Sequence, residues 1–600
     1  MDPRPNLGIM DYVVIGASLL ISTAIGIKFQ ISDRRKSSPT EYLLAGKNMS
    51  IFPVVMSITV TMISAIIIIG HTGETFRYGI QIIVVCFGFP IGTVLAAYIF
   101  LPVYFNCNVS TTYEYLDHRF GKTTRIAISA LFLIQMMLFM SVVLYAPVIA
   151  LSAVTDLSIE VSILVFGAVC TFYCAVGGLR AVIWTDVFQA GLMFLCLIVM
   201  YIKGIQEAGG VLNIYEKSAK GKRLEIFDFE ENFIKRYTFL NSFCRGLFGA
   251  LAYYGTSQIE VQRMLSMKSV NKARAALNWS IIPVAALVIL CTLFGLVLYT
   301  IFHTCDPVAD EARTGVSRHD QLAPYYIITR FNHLPGVTGI CVAGIFSGSL
   351  STISSALNSL SSVTVVDFIK PACKASTLSE KKIVLIAKML SVLYGIICIG
   401  LTFAVSKVDS IVTISNTFLS IMEGPILAVY FVAVLSRKGT EKNILVGLIL
   451  GVIFTAWIGA GVLSSGYQPP ALPLNSSGCP SLQNISNVFS NFTSICESGG
   501  QCSSVDIEPS EPFFLYKTSF LWVSTFGCFA TLLFIGLAIL FTGYRDVIPA
   551  DSKYLSPVAR FWIKGTSFET KQNLSNDLKE RNDLDVQNEI ENTEKVNTSV

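Results

Sequence analysis

Apolar runs of about 20 residues recur along nearly the whole chain. At a helical rise of about 1.5 Å per residue, such a run spans the roughly 30 Å hydrocarbon core of a bilayer. About thirteen segments of this kind are expected, centred near Ala17, Ser57, Ile91, Met137, Phe166, Leu192, Gly249, Val288, Gly348, Tyr394, Ile421, Val452 and Phe529. Backbone groups in hydrocarbon must be paired within the segment, so the expected fold is an all-α polytopic membrane protein embedded in the lipid bilayer. Composition agrees: of 600 residues, 53% are hydrophobic and 14% charged, against about 25% charged in an ordinary soluble domain. No nucleic-acid partner is expected of such a chain.

Loop charges orient the spans. The basic segments Arg34-Arg35-Lys36, Arg119 to Arg125, Arg263 to Arg274, Lys370 to Lys382 and Arg437 to Lys442 fall in alternate loops, which are read as cytoplasmic. An odd number of spans then places the N-terminus outside and the C-terminus inside. The glycosylation sequons at Asn475, Asn484 and Asn491 share the loop between the last two spans, which this topology makes external. The loop from Lys203 to Arg236 is also external in this scheme, although it mixes bases with Glu207, Glu216, Glu225, Glu230 and Glu231. Tyr12 to Phe29 is followed, not preceded, by its basic cluster and lacks a small-residue cleavage site, so it reads as a retained anchor. The plasma membrane is the expected location. Of the 15 cysteines, Cys305, Cys479, Cys496 and Cys502 lie in expected external loops, allowing two disulfides with three pairings open.

One segment is too polar for its surroundings. Gly344 to Asp367 carries Ser347, Ser349, Ser351, Thr352, Ser354, Ser355 and Asn358 within what its flanks mark as a span. Unmatched hydroxyls and amides are costly in hydrocarbon, so this helix must turn them toward protein, water or an ion. Hydroxyl and carbonyl oxygens can replace the hydration shell of a hard cation, which points to transport. Between Asn48 and about Arg437 lie ten expected spans, and five per half would invert one half relative to the other. The first helix of each half is rich in small and polar residues: Ser57, Thr59, Thr61, Ser64 and Gly70 in one, Gly246, Gly249, Gly255, Thr256 and Ser257 in the other. Such residues permit a broken helix. The expected division is an N-terminus, first helix and loop (1–47), two inverted repeats (48–237 and 238–437), two accessory helices with the glycosylated loop (438–545), and a disordered cytoplasmic tail (546–600). The last residues, Thr598-Ser599-Val600, suit a PDZ-type groove. An enzyme is not expected: outside the spans there is no nucleophile with its base, no metal cluster and no glycine-rich phosphate loop. His71, His118, His303, His319 and His333 show no ligand spacing and read as lone surface histidines.

The stretches STTYEYLDHRF (Ser110 to Phe120), GGLRAVIWTDVFQ (Gly177 to Gln189), YGTSQIEVQR (Tyr254 to Arg263) and LNSLSSVTVVDFIKP (Leu357 to Pro371) resemble the sodium:solute symporters, the group that includes the sodium/glucose cotransporters. The resemblance runs over nearly all of residues 8–545. LYAPVIAL after Val143 and TFYCAVGGLRAVIWTD make it most similar to the iodide, monocarboxylate and multivitamin branch. The resemblance implies a leucine-transporter-type 5+5 inverted repeat and one sodium site, held by the carbonyls of Val60, Ile63 and Gly348 and the hydroxyls of Ser351 and Thr352. Sodium would be a transported ion, not a prosthetic group.

The resemblance also makes Ser349, Ser354 and Asn358 functional positions and sets Asp186 near a sodium exit route. It places Tyr145 and Gln258 in the substrate pocket, with Thr61 a further coupling candidate. Three positions depart from the family pattern: Ile67 stands where sugar and iodide members carry Gln, Ser257 where the anion branch has Asn, and Arg245 where close relatives have Gly. Arg245, about 10 Å inside its span, either meets a carboxylate substrate or snorkels to the outer headgroups or pairs with Glu74 or another external acid. The function implied is sodium-coupled symport of a small organic anion, a monocarboxylate or a carboxylated vitamin, by alternating access. The alternatives are an iodide-like anion or a solute-gated sensor or channel on the same scaffold.

Overall fold

The computed structural model describes residues 7–33, 43–154, 157–176, 178–372, 379–407, 411–479, 512–543 and 546–563. Ten of the described helices are long and apolar enough to cross a membrane, or eleven when one bent pair is taken as a single span. This is fewer than the expected thirteen. The segments centred near Phe166 and Gly249 fall on shorter helices, α7 and α10 below, and α10 is cut short because the chain leaves helical geometry just after Gly255.

The helices that position the site are, in chain order, α1 (Ile9–Asp33), α2 (Ile51–Met62), α3 (Thr72–Tyr78), α4 (Val85–Ile99), α5 (Thr112–Arg119), α6 (Lys122–Val154), α7 (Ile159–Val176), α8 (Leu179–Glu207), α9 (Val211–Lys220), α10 (Phe239–Gly255), α11 (Gln258–Leu265), α12 (Val270–Ile301), α13 (Val337–Val363), α14 (Glu380–Val405), α15 (Ile411–Leu435), α16 (Glu441–Ser464) and α17 (Val523–Thr542). Both helices expected to be broken are broken. The axis bends by 55° between α2 and the run from Ile67 to Tyr78 that contains α3, and Thr256-Ser257 separates α10 from α11.

Close packing rests on small residues. On α4, Gly88 and Gly92 face the backbone of α10 at Phe243 and Leu247, and Gly246 of α10 faces Val85 in return, so the two backbones touch where any Cβ would collide. The polar α13 lies at the centre. The apolar window of its span is 94% buried, against 22% for α1, so its hydroxyls meet protein and not lipid.

Cys305, after α12, is disulfide-bonded to Cys479, after α16, with Cα atoms 4.9 Å apart. The bond selects one of the open pairings and puts both loops on one face. Cys496 and Cys502, like Asn484, Asn491 and Thr598 to Val600, lie outside the described residues. The strand of chain before Cys479 runs across the end of α3, where Leu472 N donates to Arg77 O (3.2 Å) and Arg223 donates to Pro473 O (2.8 Å). Asn475 in this segment is exposed. At the opposite end, part of the expected disordered tail is folded: Leu555 and Ser556 are buried, Ser556 N donates to Val434 O (2.8 Å) and Tyr115 Oη donates to Tyr554 O (2.9 Å).

Candidate functional site

The chain leaves the helix at Ile63 (φ −95°, ψ 80°), so the carbonyls of Val60, Thr61 and Met62 lose the amides that a continuous helix would offer four residues on. α13 crosses at this break. A Cβ on Gly348 would lie 2.9 Å from Ala65 N and 3.2 Å from the Ser64 carbonyl carbon, so only glycine allows this approach. One turn later Thr352 Oγ1 donates within 3.2 Å of Thr61 O and 3.1 Å of Gly348 O, joining the two helices. Ser351 Oγ is buried near Asp186 but meets no partner at hydrogen-bonding distance. The expected sodium ligands Gly348, Ser351 and Thr352 therefore stand against the break that frees the carbonyl of Val60 and contains Ile63.

Beside this junction lies a buried charge network. Arg263 of α11, fully buried, donates to Ser57 Oγ (2.7 Å), Thr61 Oγ1 (2.5 Å) and Ser355 Oγ, pairs with Glu260 (2.9 Å) and stands 3.5 Å from Asp186. Ser57 Oγ donates to Asp186 Oδ2 at 2.5 Å. Asp186 is thus a buried carboxylate held by Ser57 and Arg263. It belongs to a network that connects both broken helices with α8 and α13. One guanidinium faces two carboxylates there, and Asp186 Oδ1 and Glu260 Oε2 have no partner.

On the other side of the break is a cavity of about 150 Å³. Thr61, Met62, Ser64, Ile67 and His71 of the broken span line it, with Arg245, Gly249 and Tyr253 of α10 and Asn416 and Glu423 of α15. Its lining is otherwise mostly apolar. Arg245 Nη1 donates to Glu423 Oε2 at 2.7 Å, with the two side chains 12% and 9% exposed. Arg245 folds back over Gly249, whose missing Cβ leaves room for it: a Cβ there would be 3.4 Å from Nη1. Arg245 is therefore neither snorkelled nor paired with Glu74. Glu74 holds Arg236 through two hydrogen bonds, one of 2.8 Å, and accepts from Tyr237 Oη at 2.7 Å.

The remaining expected residues are spread more widely. Gln258 is not part of the cavity lining; its amide accepts from Thr112 N (2.9 Å) and donates to Ser110 O (3.2 Å), fastening the start of α5 to the second helix break. Tyr145 is also away from the cavity, bonded to Ser406 O and to Arg318 at the end of the bundle. Ser349 donates to Val143 O (2.9 Å) and Ser354 to Ser351 O (3.1 Å), whereas the Asn358 amide is buried without a partner. Ser257 lines a small void of about 20 Å³ that shares Tyr253, Leu419 and Glu423 with the main cavity. Sequence reasoning missed Glu423, Glu260 and Arg263 as site residues, and His71, read as a lone surface histidine, instead lines the cavity. A glutamate in the apolar run of α15 was itself a signal, since ionisable residues inside spans are costly.

Residues 42–451 match the model of the sodium:solute symporter family. Similar curated proteins include the sodium-coupled monocarboxylate transporter 1 of Homo sapiens, 34% identical over 96% of this chain and 94% of that protein. The sodium-coupled monocarboxylate transporter 2 of Bos taurus is 33% identical over 93% and 89%. A Drosophila melanogaster protein provisionally named a sodium-dependent multivitamin transporter is 35% identical over 88% and 85%. Among solved structures, a Na+-coupled sialic acid symporter in a substrate-bound outward-open state superposes with a TM-score of 0.71 at 19% identity, covering 89% of this chain and 98% of that one. That likeness agrees with the expected all-helical, leucine-transporter-type fold.

Proposed function

The chain belongs to the sodium:solute symporter family, and from that premise we propose that it imports a small carboxylate-bearing solute with sodium by alternating access. It is a multi-pass membrane transporter, not an enzyme, and sodium is its co-transported ion. One observation carries the substrate reading: the helix break at Ile63 to Ala65 faces Gly348 and Thr352 on one side, and on the other opens onto a cavity containing Arg245. An ion bound by the carbonyls of Val60, Ile63 and Gly348 and the hydroxyls of Ser351 and Thr352 would order the same segment that lines the solute cavity. Sodium and solute then raise each other's affinity by an equal factor. The cavity volume, about that of a cavity that admits benzene, favours a compact carboxylate over a large vitamin.

In this reading the disulfide and Asn475 face the extracellular side, where thiols oxidise and sequons are glycosylated. The N-terminus is then outside, the C-terminus is cytoplasmic, and the protein sits in the plasma membrane. Asn484 and Asn491 are further glycosylation positions, and Thr598 to Val600 a PDZ-type ligand. A potential of about 60 mV supplies roughly 1.4 kcal/mol per charge and a tenfold sodium gradient about as much again. The test is uptake of labelled lactate, nicotinate, biotin, pantothenate and iodide in sodium and in choline medium, with Ser351→Ala/Thr352→Ala alongside. Sodium-dependent accumulation of an organic anion, lost in the surface-expressed double variant, is expected. Accumulation of iodide alone would overturn the carboxylate reading, and sodium-dependent current without accumulation would favour a solute-gated channel.

A further inference from the structure

Arg245 and Glu423 come from facing helices, α10 and α15, and both line the cavity. A single hydrogen bond holds them, Nη1 to Oε2 at 2.7 Å. Neither side chain is sealed off: they are 12% and 9% exposed, and both border the cavity. The two charges cancel. Among the described lining residues no second permanent cation is present to replace Arg245: His71 is the one other basic side chain there, and Arg236, outside the lining, is bound to Glu74.

We propose that the cavity selects a zwitterion, a compact carboxylate that also carries a cationic nitrogen two or three bonds away, with Arg245 taking the carboxylate and Glu423 the cation. This rests on the carboxylate-symport reading and narrows it. A plain monocarboxylate that takes Arg245 from Glu423 puts two carboxylates on one guanidinium in a mostly apolar cavity. Breaking a buried pair so that one charge is left unpaired is strongly unfavourable. A zwitterion enters between the two residues and gives each an opposite charge, keeping the cavity neutral. The volume of about 150 Å³ admits a ligand of about the size of benzene, which suits a molecule of six to eight non-hydrogen atoms of this kind.

The test uses isosteric pairs that differ only in a nitrogen for a carbon: β-alanine against butyrate, and glycine betaine against 3,3-dimethylbutyrate. Sodium-dependent uptake of each member is measured in cells expressing the full chain, and the readout is the uptake ratio within a pair, in which surface expression cancels. The intact protein is expected to favour the zwitterion by at least about tenfold in one pair or both, the scale of a close charge pair in a desolvated site. Glu423→Gln is expected to lower or invert that ratio, and Glu423→Asp, which keeps the charge, to retain it. Equal or better uptake of the isosteric anion by the intact protein overturns the proposal and leaves carboxylate symport standing. A zwitterion preference that Glu423→Gln leaves unchanged overturns the role of Glu423. Absence of sodium-dependent uptake of all four also overturns the proposal, and extends to the carboxylate reading only if lactate and nicotinate fail as well.

Discussion

Gly348→Ala tests whether the contact between α13 and the helix break is the sodium junction. The added methyl would sit 2.9 Å from Ala65 N and 3.2 Å from the Ser64 carbonyl carbon. Non-bonded heavy atoms settle near 3.5–4.0 Å, so the two segments must part by about 0.5–1 Å. Both contacts are backbone, and neither can rotate away. The atoms assigned to sodium come from opposite sides of this contact, with Val60 and Ile63 on one and Gly348, Ser351 and Thr352 on the other. Overpacking of this kind costs about 1–3 kcal/mol. Borne entirely by the ion-bound junction, that is about a 5- to 150-fold loss of apparent sodium affinity. The assay is the sodium concentration giving half-maximal uptake at fixed solute. Gly191→Ala is the control: no atom lies within 4 Å of its added methyl, and in α8 the change stabilises by up to about 1 kcal/mol. An unchanged half-maximal sodium concentration in Gly348→Ala, with surface amounts near normal, would refute the assignment.

Thr352→Val removes the hydroxyl that bridges Thr61 O and Gly348 O and is expected to abolish sodium-dependent uptake, while Thr352→Ser keeps it; equal uptake by both variants would count against a ligand role. Arg263→Gln leaves Asp186 and Glu260 buried without their cation, a loss of about 3–5 kcal/mol that surface biotinylation should read as retention inside the cell. Truncation after residue 563 is expected to be tolerated, whereas truncation after residue 545 removes the buried Leu555 and Ser556 and their bonds to the bundle, so it should lower surface amounts; equal surface amounts for the two truncations would refute that distinction.

Residues that announce themselves by chemistry in the wrong place were legible in one dimension. Seven hydroxyl and amide residues in one span marked α13 as the inner helix, and glycines with small polar residues marked both breaks, because hydrocarbon tolerates neither without a reason. What a residue faces across the bundle was not legible. Gln258 belongs to a stretch shared with the family, yet it binds the backbone at Ser110 and Thr112. Tyr145 lies on a long helix whose outer turns pass beyond the cavity to meet Ser406 and Arg318. The span count missed for a related reason: a helix broken at Thr256-Ser257 is too short to register as one long apolar element.

Arg245 shows most clearly what tertiary structure adds. Taken alone, it is an expensive charge in a span that must find a partner or snorkel, and sequence offered the headgroups and Glu74 ahead of a substrate. The structure gives Glu74 to Arg236 and Tyr237 and brings Glu423 from 178 residues away to Arg245. A charge neutralised by its own protein discriminates differently from a bare one. A lone guanidinium would attract any small anion, iodide included. A guanidinium already holding a carboxylate requires the entering solute to compete for Arg245 and to leave Glu423 compensated. Ile67 sharpens this, since it lines the same cavity as an apolar side chain with no amide to offer a sugar hydroxyl or a halide. In the proposed reading coupling would follow from placement: Ile67 and Ser64 lie on the segment that Gly348 and Thr352 grip, so solute discrimination and ion binding would act on the same few residues of broken helix.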